Sequence, residues 1–143
     1  MTEKGFTIER TFNSPIDKVW DALTNNDTMK NWYFDIADFK PEIGFEFTFN
    51  GQGADCENYV HQCKITEVET NKKLSYSWVY KGYEGYSEAS FELFAEGEKT
   101  RLVLTHTGLE SFPQNNKDFA RDSFAEGWTY IIGTSLGNFL EKQ

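Results

Sequence analysis

Apolar and polar residues alternate along most of this chain, and the period lengthens near its end. Between Gly5 and Phe12, the residues Phe6, Ile8 and Phe12 alternate with Thr7, Glu9 and Thr11. This predicts a half-buried strand, with Arg10 on the apolar parity. Ser14 then stands as a helix cap, with Pro15 in the first helical position and Asp17 as the acid of a capping box. Ile16, Val19, Trp20 and Leu23 follow at helical spacing, and the helix is expected to end near Thr24–Asn26. A second short helix is expected from Asp27 to Trp32.

Strand patterns return after it. Phe34–Phe39 reads as one strand, ended by Pro41. Phe45, Phe47 and Phe49 alternate with polar residues between Gly44 and Gly51. Asn58–Val68 reads as a longer strand, with His61 sharing the parity of Tyr59, Cys63 and Ile65. Leu74, Tyr76, Trp78 and Tyr80 alternate in the next strand, and Ala89, Phe91 and Leu93 in the one after. In the last, Leu102, Leu104 and His106 share one face. The links Thr70–Lys73 and Glu96–Lys99 are short, which predicts antiparallel hairpins. From Lys117 or Asp118 the period changes: Phe124, Trp128, Ile131, Ile132, Ser135, Leu136, Phe139 and Leu140 recur at steps of three and four. The order is one strand, two short helices, several antiparallel strands and a long helix. It predicts a single α+β domain over residues 1–143, with a curved antiparallel sheet wrapped around the C-terminal helix.

Composition narrows the function classes. Aromatic residues make up 17% of the chain, with 13 Phe, 7 Tyr and 4 Trp, so much of the buried volume lies in rings. The net charge is −9, from 23 acidic against 14 basic residues, with no basic stripe. Nucleic acid and anionic membrane surfaces are therefore not expected partners. No long apolar run suggests a membrane helix or a signal-peptide core, so a cytoplasmic location is expected. Cys56 and Cys63 are expected to be free thiols. Together with His61 their spacing fits no common zinc site, so neither metal nor cofactor is expected. Phosphate-binding loops, nucleophile elbows and His-Glu-x-x-His are all lacking.

Four stretches carry a resemblance. They are Phe12–Thr24 (Phe-Asn-Ser-Pro-Ile-Asp-Lys-Val-Trp-Asp-Ala-Leu-Thr), Met29–Tyr33, Thr100–Leu109 (Thr-Arg-Leu-Val-Leu-Thr-His-Thr-Gly-Leu), and Gly127-Trp128 with Leu136 beyond. Together they resemble the SRPBCC superfamily, whose START and Bet v 1 members share the helix-grip fold. Within it they resemble the branch of the C-terminal domain of the activator of the Hsp90 ATPase. Ile43 departs from the Gly-Gly turn usual in that branch. The resemblance implies a cavity between sheet and long helix. A chain of 143 residues leaves no room for the co-chaperone's separate N-terminal domain, so ATPase activation is not expected.

On these grounds Trp32, Phe47, Phe49, His61, Tyr76, Trp78, His106, Phe124, Trp128 and Ile132 are the expected ligand-contacting residues, and a small hydrophobic molecule the expected partner. The competing expectation is that the rings simply fill the core. His106 is expected to be a core histidine tied to a neighbouring strand or a Tyr. The alternative is an acid or base in a cyclase- or aromatase-like enzyme, a role a cavity Tyr would share. Arg10 is expected at an exposed strand edge, the alternatives being a pair with an inward acid or a bidentate hold on a ligand carboxylate. A chaperone-associated, stress-response interaction module is a further alternative, and both monomer and homodimer are compatible with the sequence. Gly127, Gly133 and Gly137 cost the last helix on the order of 2–3 kcal/mol relative to alanine, which calls for a structural reason such as close packing on the sheet.

Overall fold

The structure is a computed structural model that describes residues 5–32, 39–52, 58–108, 111–112 and 121–141. The chain begins with strand β1 (Gly5–Phe12), helix α1 (Ile16–Thr24) and one-turn helix α2 (Asn26–Met29). Strands β2 (Glu46–Gln52), β3 (Asn58–Glu69), β4 (Lys73–Tyr80), β5 (Ser87–Glu96) and β6 (Lys99–Thr107) follow. The C-terminal helix starts as α3 (Arg121–Trp128), widens into π-helical turns over Thr129–Leu136, and closes as α4 (Gly137–Glu141).

The six strands form one antiparallel sheet in the order β1-β6-β5-β4-β3-β2. The hairpins turn where the backbone can go left-handed, at Asn71 (φ 61°) between β3 and β4 and at Gly97 (φ 68°) between β5 and β6. Alternation holds along the strands. Phe47, Phe49, Tyr59, His61, Cys63 and Ile65 are buried, and so are Leu74, Tyr76, Trp78, Tyr80, Ala89, Phe91, Leu93, Leu102, Leu104 and His106. A bulge in β3 lies between Ile65 and Glu67, beyond His61, so it does not turn the histidine outward. β4 is buried on both faces. Ser75 donates a hydrogen bond to Ser90, and Ser77 accepts one from the Lys64 amide, which satisfies the small polar side chains on the outer face.

Several boundaries differ from expectation. Helix α1 is capped at Pro15 with no side-chain cap, whereas Ser14 is buried and its carbonyl accepts the Thr100 hydroxyl at 2.7 Å. This bond pins the start of α1 to β6, a tertiary constraint that local capping chemistry does not reveal. α2 starts one residue early because the Asn25 side chain accepts the amides of Asp27 and Thr28. β2 runs through Gly51 rather than stopping at it. The expected strand at Phe34–Phe39, apart from Phe39 itself, lies outside the described residues, as do Cys56 and the expected helix start near Lys117.

The C-terminal helix buries Phe124, Trp128, Ile132, Leu136 and Leu140, one residue every four. In an α-helix each residue turns 100°, so steps of four drift around the axis. The wider π-helical turns rotate less per residue and bring the stripe back over the sheet. Two of the glycines, Gly133 and Gly137, sit where the helix meets β1. A Cβ on Gly133 would lie 3.3 Å from Arg10 Nε, and one on Gly137 would lie 3.8 Å from Phe12 Cε1. Gly133 thus marks the close approach expected, Gly137 makes an ordinary contact, and Gly127 has open space where a Cβ would stand.

A candidate aromatic site between sheet and helix

Trp78 in β4 is the centre of the sheet–helix interface. Its ring meets those of Phe49 at 5.6 Å, His61 at 4.9 Å, His106 at 5.3 Å and Trp128 at 5.4 Å between centroids. The first three are edge-to-face pairs and the Trp128 ring is tilted at 55°, all at favourable spacings. Phe47 extends the wall to Tyr76 at 5.1 Å and Phe39 at 5.0 Å. Phe91 joins Tyr76 to Trp128. Phe124 closes on His106 at 5.2 Å and stacks on Phe112. Ile132 is fully buried in the same core.

The polar tips are bonded. The Trp78 indole N–H donates to the Tyr80 hydroxyl at 2.9 Å. The Trp128 indole N–H donates to His106 Nδ1 at 2.9 Å, and His106 Nε2 lies 2.9 Å from Ser87 Oγ. The Ser87 hydroxyl donates to the Trp78 carbonyl at 2.7 Å. An indole only donates and a carbonyl only accepts, so the proton positions follow. Nδ1 is the acceptor, Nε2 carries the hydrogen, and Ser87 Oγ accepts it. His106 is a neutral histidine in a single tautomer, with both nitrogens spent inside the core. Burial, and then the nearby His61, hold its pKa down at about 3. A protonated Nδ1 would face the indole N–H, so this chain of bonds also requires the neutral ring. It leaves His106 no free nitrogen for acid–base work on a guest molecule.

His61 is stacked on Phe49 at 4.5 Å and edge-on to Tyr80 at 4.7 Å. Its Nδ1 donates to the Tyr59 carbonyl at 3.1 Å. Burial lowers its pKa to about 4, opposed by hydrogen bonding to the backbone of Tyr59 and Phe49. Cys63 on the same strand is a buried free thiol whose pKa is pushed up by burial, so it stays protonated and unreactive. Trp32 is anchored differently. Its indole donates to the Ala22 carbonyl at 2.8 Å, and its own carbonyl accepts the Ser135 hydroxyl. It thereby ties α1 and the turn after α2 to the C-terminal helix. Among the described residues no cluster of three or more potential metal ligands exists.

Nine of the ten expected residues thus share one ring-rich interface, and Trp32 braces the helix that covers it. Sequence reasoning missed Ser87, Phe91, Tyr80 and Phe112. Ser87 and Phe91 share the inward parity of Ala89, so their faces were legible, but the bond that Ser87 accepts from His106 needs the β5–β6 register. Phe112 has no periodic context. It is placed by Gly108 (φ 85°), where a Cβ would meet the Tyr86 carbonyl at 2.5 Å, and by Ser111, which bonds both backbone groups of Tyr86.

This fold and interface define an SRPBCC helix-grip protein. Residues 13–141 match the family described as Activator of Hsp90 ATPase homolog 1-like protein, and the chain belongs to that family. Protein MLL2253 from Mesorhizobium loti is similar in structure, with 25% identity and a TM-score of 0.78 over 98% of each chain. CalU16 from Micromonospora echinospora is 25% identical with a TM-score of 0.74, over 95% of this chain and 75% of that one. DynU16, from the dynemicin biosynthetic locus, shares the fold with 18% identity and a TM-score of 0.79, over 98% of this chain and 48% of its own. No curated protein matches the chain. Among the described residues no helix is long and apolar enough to cross a membrane.

Proposed function

We propose that this protein binds a small hydrophobic, ring-containing molecule between the sheet and the C-terminal helix. One observation carries the reading. Rings from β2, β3, β4, β5 and the helix converge on one interface with their polar tips already bonded, beneath a helix segment that is not α-helical. A wall of this kind offers a guest apolar surface and makes few polar demands, as small-molecule sites do. The π-helical turns are a place where a helix can change its winding and shift the side chains beyond it, and such turns are frequent at functional sites. The place of DynU16 in a biosynthetic locus fits a small-molecule role. Burying about 200–300 Å² of guest surface is worth roughly 5–8 kcal/mol before ordering costs, which reaches the micromolar range at best.

The test is thermal unfolding against a panel of flavonoids, polyketide-like aromatics, sterols and lipids. A ligand at a hundred times its Kd adds about 2.7 kcal/mol, which is several degrees in Tm for a domain of this size. The shift should depend on concentration and disappear in Ile132→Trp, which adds an indole to the sheet–helix interface where the guest would lie. A folded protein with no shift across the panel would sink the reading and leave the rings as a filled core.

A further inference from the structure

A second concavity lies away from the ring core, at the edge strand β1, where the start of α1 and the end of the C-terminal helix meet. It is an open cleft of about 700 Å³. Three cations, Arg10, Lys18 and Lys99, line it, against one carboxylate, Glu141. This is unexpected in a chain of net charge −9. Among the described residues none of the three makes an ion pair, although Lys73 and Arg101 elsewhere on the surface do. Arg10 has one guanidinium nitrogen committed, Nη1 donating to the Glu9 carbonyl at 2.9 Å. The floor is apolar, with Phe12 and Leu140 both buried.

The glycines complete the cleft. Gly133 lies against Arg10 Nε and Gly137 over the Phe12 ring, and both line it. A larger side chain at either position would occupy the volume between the helix and β1. The fold therefore gathers three unpaired positive charges around a glycine-walled space with an apolar base. Gathering like charges costs energy unless a counter-charge arrives, and a guanidinium with free N–H groups matches the planar edge of a carboxylate or phosphate.

We propose that this cleft binds an amphiphilic anion, with a carboxylate or phosphate against Arg10, Lys18 and Lys99 and a short apolar part on Phe12 and Leu140. The site is separate from the ring core, and the two stand or fall independently.

The experiment is titration of the 15N-labelled protein with phenyl phosphate, followed by amide shifts, with phenol and inorganic phosphate as comparisons. Phenyl phosphate should shift the amides of Asn13, Ser14, Lys18, Gly133 and Gly137 saturably. Inorganic phosphate should bind the same amides more weakly, and phenol should not reproduce the pattern. Arg10→Gln/Lys99→Gln should weaken phenyl phosphate at least tenfold. Lys18→Gln/Lys99→Gln, which changes only exposed lysines, should weaken it in the same direction and guards against loss of fold. An unchanged Kd in both variants, or shifts that never saturate, would overturn the proposal. So would shifts confined to the Trp78 and Trp128 indoles, which would place phenyl phosphate in the ring core instead.

Discussion

At the scale of single residues, the two histidines matter most through the protons they do not bind. His106 and His61 have folded pKa values of about 3 and about 4, both lowered chiefly by burial from an ordinary 6.5. Between those values and 6.5 the unfolded chain takes up protons that the folded chain refuses. Stability is therefore whole above pH 6.5 and falls as the pH drops toward 4, by a slope approaching about 1.4 kcal/mol per pH unit for each histidine. Urea midpoints measured from pH 7.5 to 5, above the range of ordinary carboxylates, should decline accordingly. His61→Phe should remove about half of that slope while keeping the ring stack on Phe49. An unchanged slope in the variant would mean that His61 is not held neutral in the fold. The sequence placed both histidines inward by parity alone. It did not reveal that His106 is locked between Trp128 and Ser87, because that depends on how a helix and two strands meet across 22 and 19 residues of chain.

At the scale of elements, the strands were legible and the last helix only partly so. Strict alternation names a strand and its buried face together, because a slip of one residue reverses every side chain. The helix was named by its apolar repeat, but its winding was not. The repeat of four from Phe124 to Leu140 held that information, since an α-helix would carry such a stripe around its axis. The start of α1 was misread because Ser14 is held by Thr100 from a distant strand, which no local pattern shows. The three helix glycines give a graded prediction. Gly127 has open space where a Cβ would stand, and Gly137 an ordinary contact at 3.8 Å, so alanine at either should raise stability by about 0.8–1 kcal/mol. At Gly133 the new methyl crowds Arg10 Nε at 3.3 Å. The guanidinium must move, and the gain should be smaller or absent. Denaturant midpoints of the three variants check the order, and an equal gain at Gly133 would show that the helix does not press on Arg10.

At the scale of the whole molecule, the sheet and the helix that covers it are held by different means. β6 and β5 each have a bonded strand on both sides, and together with β4 they carry the most deeply buried residues, including Leu102, Leu104 and Phe91. The helix has no ladder partner. Among the described residues it is tied by apolar contact and by two side-chain bonds, from Trp128 to His106 and from Ser135 to the Trp32 carbonyl. Local opening follows the number and burial of such ties, so the molecule should open at the helix before it opens in the sheet. A guest that enters the ring core past the helix needs this wall to move, so that order of opening suits the proposed function. Native-state hydrogen exchange tests it directly. Amides from Thr129 to Leu136 should exchange through openings that cost less than those of β5 and β6, and a ligand found in the thermal panel should slow them selectively. If the helix and the central strands exchange together, through global unfolding alone, the wall does not move by itself. The rings would then form a sealed core rather than a binding site.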